Sequence, residues 1–485
     1  MHISYEQLDN VYRLAPEIVL CATGVLIMLI DPFTPAPRKR AMGWLGFVGT
    51  LGALAALGVS SRHPGAAYSG LLVVDGFSLF MHAIVIVVAA LVILGSFRYL
   101  DDERVQRGEY YALVLFAVTG MCILSGANEL VTAFLGLEMS SIATYILAGF
   151  RRTSMKSNEA SLKYFLLGSF ATAFFLYGIA MVYGATGQTG IPAIAGVLSS
   201  ASPSSLLVLG IGMMFVGLGF KVVLAPFQIY APDVYEGAPT PVTGLLASAP
   251  KAATIALMLR VFYTSFSTVA PLWFWAIWIA AVLSMVIGNF AALTQTNVKR
   301  MLAYSSIAHA GYIMVAFAAS TAVGMAAVLF YLAAYALMKL GAFLVVTELG
   351  GAGEKRLEIK DYAGLGTQQP VLAACFALFL LSLLGLPLTG GFVGKFYAFQ
   401  AGLDSRLVWL VVIAALNSVV GSYYYLHVIV VMYFNDPQTE FPPQKTGTEL
   451  KLALLVCAAG VIYLGIFPSR VMHFAYTSAQ ALLSR

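Results

Sequence analysis

Residues 131–147 read VTAFLGLEMSSIATYIL, a run in which Glu138 is the only charged side chain. A helix needs about 20 mostly apolar residues to cross the hydrocarbon core of a bilayer. A charged group at that depth costs roughly 2.5–3.5 kcal/mol on insertion scales, so it persists where it faces protein or water. The stretch therefore predicts a membrane-spanning helix with a functional group near its middle.

The composition of the whole chain agrees with that prediction. Hydrophobic residues make up 60% and charged residues 10% of its 485 positions, whereas about a quarter of a soluble domain is charged. The basic residues are spread over loops and form no aromatic-rich basic face, which argues against nucleic-acid binding. A chain this apolar needs lipid as its solvent, and we expect an all-α membrane protein.

Two local patterns argue against other classes of protein. The first 20 residues carry Glu6 and Asp9 and lack a basic region, so we do not expect a cleavable signal peptide. The cysteines lie in apolar stretches without CxxC or Cys/His spacing, which disfavours disulfide, zinc and iron–sulfur sites. We interpret all four as small apolar helix residues: Cys21, Cys122, Cys375 and Cys457.

Hydropathy along the chain predicts about fourteen transmembrane helices in one polytopic membrane domain, residues 1–485. The approximate segments are 14–30, 41–60, 77–97, 110–126, 129–149, 161–184, 206–225, 241–263, 272–293, 301–319, 323–347, 370–402, 406–432 and 451–469. The twelfth segment is too long for one straight helix, and Pro387, Gly390 and Gly391 near its middle predict a break.

The distribution of basic residues tests this count, because inside loops carry an excess of lysine and arginine. With the N-terminus outside, the inside segments hold 17 of the 27 basic residues: Arg38, Lys39, Arg40, Arg98, Arg104, Arg107, Arg151, Arg152, Lys156, Lys163, Lys299, Arg300, Lys355, Arg356, Lys360, Lys445 and Lys451. The outside segments hold six: Arg13, Arg62, Arg260, Arg406, Arg470 and Arg485. The asymmetry favours fourteen spans with both termini outside.

The remaining four lysines fall inside the spans. Lys221 lies in the seventh, Lys251 midway along the eighth, Lys339 in the eleventh and Lys395 just after the break in the twelfth. Intramembrane charges of this kind are functional candidates by default, and Glu138 in the fifth span joins them.

Several of these residues also have a structural interpretation. Lys163 and Lys339 lie nearer the inside ends of their spans, where a long stem can reach the interface. Glu138 can form a structural ion pair with a neighbouring lysine. His309 in the tenth span is either a hydrogen-bonded core residue or a proton relay, for which its ordinary pKa is suited. The other histidines of the spans are expected to be core residues: His82 and His427.

A row of buried lysines suits proton transfer. Burial in a dry environment lowers the pKa of a lysine side chain toward neutrality, and a nearby carboxylate raises it again. Moving that negative charge away switches the lysine from holding a proton to releasing it. A Glu138–Lys221 pair followed by further lysines therefore indicates a switchable relay, and internal prolines and glycines can admit water to it.

The two interrupted spans indicate an internal repeat. Pro226 follows Lys221, and Pro387 precedes Lys395 five spans later. Five helices per unit invert the second unit relative to the first, a recurring design of transporters. The predicted parts are 1–109 (spans one to three), 110–263 (the first repeat, spans four to eight), 272–432 (the inverted repeat, spans nine to thirteen) and 451–485 (span fourteen), with spans seven and twelve broken.

Three segments resemble a known family. Residues 220–253, FKVVLAPFQIYAPDVYEGAPTPVTGLLASAPKAA, 297–315, NVKRMLAYSSIAHAGYIMV, and 381–399, LSLLGLPLTGGFVGKFYAF, are similar to the proton-translocating, antiporter-like subunits of respiratory complex I. The run DVYEGAPTP with the lysine of SAPKAA looks most like the branch called subunit N, or subunit 2 in mitochondria and plastids.

The resemblance implies roles for individual residues. Glu138 and Lys221 match the family's pair in spans five and seven, Lys251 its central residue, and Lys395 the residue of proton exit to the outside. Lys163 matches a lysine near the pair. Lys339 matches some relatives of this branch rather than the branch itself.

The resemblance also implies partners and chemistry. We expect one proton-pumping module of a bacterial NADH:quinone oxidoreductase in the inner membrane, beside other membrane-arm subunits, with the outer ends of the spans facing the periplasm. NADH, FMN, iron–sulfur clusters and quinone belong to partner subunits, and no cofactor is expected here. The alternatives are a multisubunit cation/proton antiporter, a related membrane-bound hydrogenase or ferredoxin-linked complex, and a structural scaffold.

Overall fold

The computed structural model describes residues 5–200, 202–439, 441 and 447–483, which form a helical bundle. Lys445 and Arg485, counted above, lie outside the described residues. The helices are α1 (Tyr5–Arg13), α2 (Ala15–Ile30), α3 (Arg40–Ser60), α4 (Gly76–Asp102), α5 (Gly108–Gly126), α6 (Leu130–Ala148), α7 (Met155–Thr186), α8 (Ile191–Leu198), α9 (Ser205–Val222), α10 (Ala231–Gly237), α11 (Thr240–Arg260), α12 (Ala270–Leu293), α13 (Val298–Ala318), α14 (Ala322–Gly350), α15 (Leu365–Gln368), α16 (Pro370–Leu384), α17 (Gly390–Asp404), α18 (Val408–Phe434), α19 (Thr448–Ile466) and α20 (Pro468–Leu483).

Short elements complete the described chain. Two antiparallel strands, β1 (Gly65–Ala67) and β2 (Leu72–Val74), form a hairpin before α4. A π-helical turn, Val261–Ser265, extends α11. The 3₁₀ turns are Asp31–Phe33, Ala36–Arg38, Gln228–Tyr230 and Ile359–Tyr362.

The span count from the sequence is confirmed. Within the described ranges, thirteen helices are long and apolar enough to cross a membrane. The predicted twelfth span supplies the fourteenth crossing as two half-helices, α16 and α17. Pro387 lies in the turn between them, and α16 ends at Leu384, directly before Gly385, whose φ of +97° suits glycine alone.

The seventh span is broken as well. The helix α9 ends at Val222 rather than at 225, because Val223 adopts a left-handed conformation with φ of +66°. Pro226, which cannot donate a backbone hydrogen bond, follows, and the short α10 then leads into α11. The pairing of 110–263 with 272–432 as inverted repeats stays a prediction.

Three helices occupy the centre of the bundle. The apolar stretches of α11, α13 and α14 are 100%, 94% and 89% buried, whereas those of α2, α3, α7, α12, α18 and α19 are 33–44% buried. Polar side chains on these three helices are therefore shielded from lipid and from water.

Both described ends of the chain lie at one end of the bundle. Arg13 of α1 donates to the carbonyl of Ala66 in β1 at 2.8 Å. The helix α20, which the sequence did not separate from span fourteen, packs against α4 and the turn Val261–Ser265. Arg260, counted above as a loop charge, instead forms a buried ion pair with Asp75 at 3.1 Å. The side of the membrane that this end faces stays a prediction.

Candidate functional site: a buried lysine row

Lys221 lies in a cage of tyrosine rings at the break in the seventh span. Its ammonium is 3.5 Å from the hydroxyl of Tyr145 on α6. It also lies 4.9 Å from the ring centre of Tyr145 and 5.1 Å from that of Tyr164 on α7. Aromatic faces attract cations, and the last turn of α9 adds the negative end of a helix dipole. The site is therefore built to hold a charge without a carboxylate in contact.

Glu138 does not contact Lys221 directly. Among the described residues it forms no ion pair within 4.0 Å, so the expected direct pair is absent. Tyr145 lies two helical turns after Glu138 on the same face of α6 and stands closer to the lysine. Any interaction between Glu138 and Lys221 is therefore longer in range than an ion pair.

Lys163 lies outside this cage. Its side chain is 41% exposed and forms ion pairs with Glu159 at 2.8 Å and with Asp233 of α10 at 2.7 Å. Burial raises the pKa of Asp233, but hydrogen bonds from Lys163 and Arg300 outweigh it, and the pKa lies below its usual range. The position fits the interfacial interpretation of Lys163.

Lys251 is fully buried in the middle of α11. Its ammonium donates to the carbonyl and to the hydroxyl of Ser306 on α13, at 2.6 and 2.7 Å. The Ser306 hydroxyl also bonds that of Tyr335 on α14, at 2.7 Å. The lysine is thus joined to both other central helices through hydroxyl groups.

Lys339 on α14 is fully buried too, so the snorkelling interpretation is wrong. Its ammonium donates to the carbonyl of Leu302 at 2.6 Å and to the hydroxyl of Ser305 at 2.9 Å. The side chain stays in the centre because α14 is surrounded by other helices, which leaves the amine no path to the interface.

His309 connects these groups. Its Nδ1 lies 2.8 Å from the hydroxyl of Tyr331, and its Nε2 lies 3.2 Å from that of Tyr425. Tyr425 also bonds Ser305, which accepts from Lys339. A continuous hydrogen-bond chain therefore runs from Lys339 through two hydroxyls to His309. Hydroxyl and imidazole groups both donate and accept, so such a chain can reverse its direction.

Lys395 sits at the break of the twelfth span. Its ammonium donates to the carbonyl of Leu384 at 2.8 Å and to the hydroxyl of Ser418 at 3.0 Å, and lies 4.7 Å from the ring centre of Tyr312. Leu384 ends α16, and the last carbonyls of a helix have no partner within it. The break thus supplies the acceptor that holds the lysine.

The row spans the described bundle as two adjoining groups. The rings of Tyr312 and Tyr335 lie 5.7 and 5.3 Å from the His309 ring. Lys395 and Lys251 lie over the faces of these two tyrosines, at 4.7 and 5.2 Å. Tyr235 of α10 donates to the carbonyl of Leu246 on α11, the helix that carries Lys251.

Sequence reasoning missed the hydroxyl and aromatic groups around the lysines and His309: Tyr145, Tyr164, Ser305, Ser306, Tyr331, Tyr335, Ser418 and Tyr425. The run YSSIAHAGY, residues 304–312, carried the one available signal, because its polar residues recur at helical spacing inside a span.

Multi-pass membrane proteins with buried polar side chains in their spans carry small ions, and this bundle has the features of that class. The family described as NADH:quinone oxidoreductase/Mrp antiporter, TM, matches residues 127–421. NADH-quinone oxidoreductase subunit N 1 of Solibacter usitatus (strain Ellin6076) is 49% identical over 476 residues, which cover 98% of each chain. The chain belongs to the NADH-quinone oxidoreductase subunit N family.

Solved structures agree with this assignment. A chain of respiratory complex I from Thermus thermophilus with bound aureothin has 34% identity and a TM-score of 0.81, covering 95% of this chain and 99% of that one. A chain of the Mrp complex from Dietzia sp. DQ12-45-1b has a TM-score of 0.87 at 20% identity, over 98% of each chain. The second likeness shows the fold alone.

Proposed function

We propose that this chain translocates protons in the membrane arm of a bacterial NADH:quinone oxidoreductase. The observation that carries the proposal is the hydrogen-bonded row inside the most buried helices of the described bundle. Full-length relatives that bear the name of this enzyme's subunit N support the assignment to that complex.

The row is chemically suited to moving protons because its lysines lack carboxylate partners. In the described part of the chain, none of Lys221, Lys251, Lys339 and Lys395 has a carboxylate oxygen within 4.0 Å. A buried ammonium without a counter-charge is costly, so its protonated and neutral forms become comparable in free energy. Each amine then passes a proton to a hydroxyl or imidazole beside it.

The direction follows from where the charges lie. Glu138 biases Lys221 at the first break, Lys251, Lys339 and His309 connect the centre, and Lys395 releases the proton at the second break toward the outside. With both termini on the periplasmic side of the inner membrane, the exit faces the periplasm. Lys163 stands at the rim of the first cage and modulates it through Asp233.

The energy comes from other subunits. NADH, FMN, iron–sulfur clusters and quinone act in partner subunits, and neighbouring membrane-arm subunits displace the Glu138 charge relative to Lys221. A charge shift of this kind needs no large motion of the helices, because tyrosines rather than the Glu138 carboxylate hold the Lys221 ammonium.

The test is the substitution Lys251→Met in the assembled complex, reconstituted in proteoliposomes. We expect NADH-driven proton translocation to fall at least about tenfold, since a group that both accepts and donates the proton is gone. Lys451→Met is the matched control, because this lysine lies on the exposed face of α19. Undiminished proton translocation in a normally assembled Lys251→Met complex would remove the row from the pathway and favour a structural scaffold.

The antiporter alternative rests on the shared fold with the Mrp complex. It is decided by the subunits that purify with this chain. Co-purification of NADH-oxidising subunits supports the proposal, and co-purification of small antiporter subunits overturns it. Co-purification of hydrogenase or ferredoxin-linked subunits would mean that the complex uses another electron donor.

A further inference from the structure

Three side chains with metal-ligand chemistry meet at a place that the lysine row does not use. They are Glu17 on α2, His82 on α4 and Cys122 on α5, which are 6%, 4% and 0% exposed. One ligand atom from each lies within 4.8 Å of the other two. This cluster could not be predicted from the sequence, because the three residues are far apart in the chain and come together only through packing.

The hydrogen bonds of His82 fix its tautomer. Its Nε2 lies 2.9 Å from the backbone carbonyl of Cys122, which can only accept, so Nε2 carries the hydrogen. In the neutral imidazole Nδ1 then presents a lone pair, and it faces Oε1 of Glu17 at 3.5 Å. Two acceptors that face each other in a buried site need a proton or a metal ion between them.

Glu17 adds an independent observation. Its second oxygen, Oε2, is buried and has no hydrogen-bond partner among the residues that the structure describes. A buried carboxylate oxygen without a donor is costly, and such groups are paired or coordinate metals in folded proteins. The orphaned oxygen and the lone pair of Nδ1 point to the same missing positive charge.

We propose that Glu17, His82 and Cys122 bind one zinc ion. Thiolate, imidazole and carboxylate are the ligands that Zn²⁺ takes, and three of them leave one tetrahedral position for water. A thiolate and a carboxylate balance the two positive charges, so the filled site is neutral in its apolar surroundings. The bond from Nε2 to a carbonyl is the outer contact that orients a zinc-binding histidine.

The zinc ion fastens α2 to α4 and α5. All three helices precede residue 127, where the match to the antiporter-like family begins, so the site lies outside that shared core. Zinc–ligand distances of about 2.0–2.3 Å require the ligand atoms to lie under about 4 Å apart. The three ligand atoms lie up to 4.8 Å apart, so a slight approach of the side chains toward one another completes the site.

The test counts zinc in the assembled complex that contains the full chain. The complex is incubated with zinc chloride, freed of excess metal, and analysed by mass spectrometry, once as wild type and once as Cys122→Ser, His82→Asn and Glu17→Gln variants. We expect about one zinc per chain in the wild type beyond the content of each variant, and at least a tenfold weaker retention in the variants. Cys457→Ser, a buried thiol in α19 outside the cluster, should keep the zinc.

A spectroscopic readout keeps the proposal testable even if the variants fail to assemble. Cobalt(II) in place of zinc in the wild-type complex should give a thiolate charge-transfer band in the near ultraviolet, absent from Cys122→Ser if that variant assembles. Equal zinc in the wild type and the variants, or a cobalt complex without the thiolate band, overturns the proposal. In that case Glu17 and His82 share a proton instead of a metal ion.

Discussion

Lys251 and Lys299 are both fully buried lysines, and they differ in one respect. The ammonium of Lys299 donates to the carbonyl of Ala238 at 2.6 Å and to the carboxylate of Glu354 at 3.1 Å. The ammonium of Lys251 has a carbonyl and a hydroxyl of Ser306, without a carboxylate in contact. A counter-charge fixes the charge of Lys299, whereas Lys251 is left able to lose its proton.

The partner of Lys299 stands at the centre of a paired cluster. Glu354 also accepts from the backbone N–H of Thr240 at 2.8 Å, from Tyr99 at 3.0 Å, and lies 3.4 Å from Arg151. Burial raises the pKa of Glu354, but the Lys299 ammonium and the bonds from Thr240 outweigh it, and the pKa lies below its usual range. The cluster joins the start of α11 to α4, to α13, to the segment of Arg151 and to the loop of Glu354, so we assign it to stability. The proposed transport role stays with the lysine row.

The largest expected effect is on the paired cluster. Glu354→Gln removes the charge and leaves Lys299 buried without a counter-ion, which typically costs about 3–5 kcal/mol. We expect a much lower thermal unfolding midpoint and a lower yield of assembled complex, with normal proton translocation in what remains. Asp101→Asn is the control, because Asp101 pairs with Arg40 on an exposed surface. A Glu354→Gln complex of normal stability that fails to translocate protons would contradict the distinction between the structural cluster and the proton-carrying row.

His309→Gln should have the opposite pattern of effects, with less proton translocation and nearly unchanged stability. Glutamine fills similar space and still bonds a tyrosine hydroxyl, but it does not carry a proton at working pH. We expect proton translocation per NADH oxidised to fall about tenfold or more, since a positioned acid–base group contributes at least that much. The thermal midpoint should stay near that of wild type. Coupled proton pumping at the wild-type rate in His309→Gln would show that His309 is a core residue only.

Much of this arrangement could be predicted from the sequence. Hydropathy and the charge of the loops gave the span count. Pro226 predicted one break, and Pro387 with Gly390 and Gly391 predicted the other, because these signals are local. Glu138, Lys221, Lys251 and Lys395 were found since any charge in an apolar run is conspicuous.

The contacts between helices could not be predicted in this way. For Lys339 an interfacial interpretation stood beside the functional one, because the sequence of one span does not show that α14 lies at the centre of the bundle. A Glu138–Lys221 ion pair was one expectation, yet the side chain that contacts the Lys221 ammonium is Tyr145. The cluster of Glu17 and His82 depends on packing between helices that the chain separates widely.

Tyr425→Phe is a smaller change within the row. It removes the hydroxyl that joins Ser305 to His309 and keeps the ring. A neutral hydrogen bond is worth about 0.5–1.5 kcal/mol, so we expect a fall of roughly two- to tenfold in proton translocation. Tyr423→Phe on the same helix is the control, because Tyr423 is 63% exposed. Equal effects of the two changes would mean that the hydroxyl chain is not used.

Acid should weaken the paired cluster through protonation of Glu354. The folded-state pKa of Glu354 lies below its value in the unfolded chain, so its contribution to stability is full above the unfolded pKa and is lost as the pH falls through the folded one. We expect the thermal unfolding midpoint of the wild type to decrease once the pH falls below the usual range of glutamate pKa values. The midpoint of Glu354→Gln should change less over the same pH range. Parallel acid curves for the two proteins would show that another carboxylate dominates.

The smallest effect should come from Lys163→Ala. Lys163 has carboxylate partners like Lys299 but lies 41% exposed, and exposed ion pairs contribute about 0.2–1 kcal/mol. We expect a slight decrease in thermal stability that vanishes at high salt, because the charges are screened there. Proton translocation should fall less than threefold, since Arg300 keeps Asp233 in place at 2.7 Å. A tenfold loss would show that an exposed, paired lysine can belong to the pathway, and carboxylate pairing would then no longer separate structural from proton-carrying lysines.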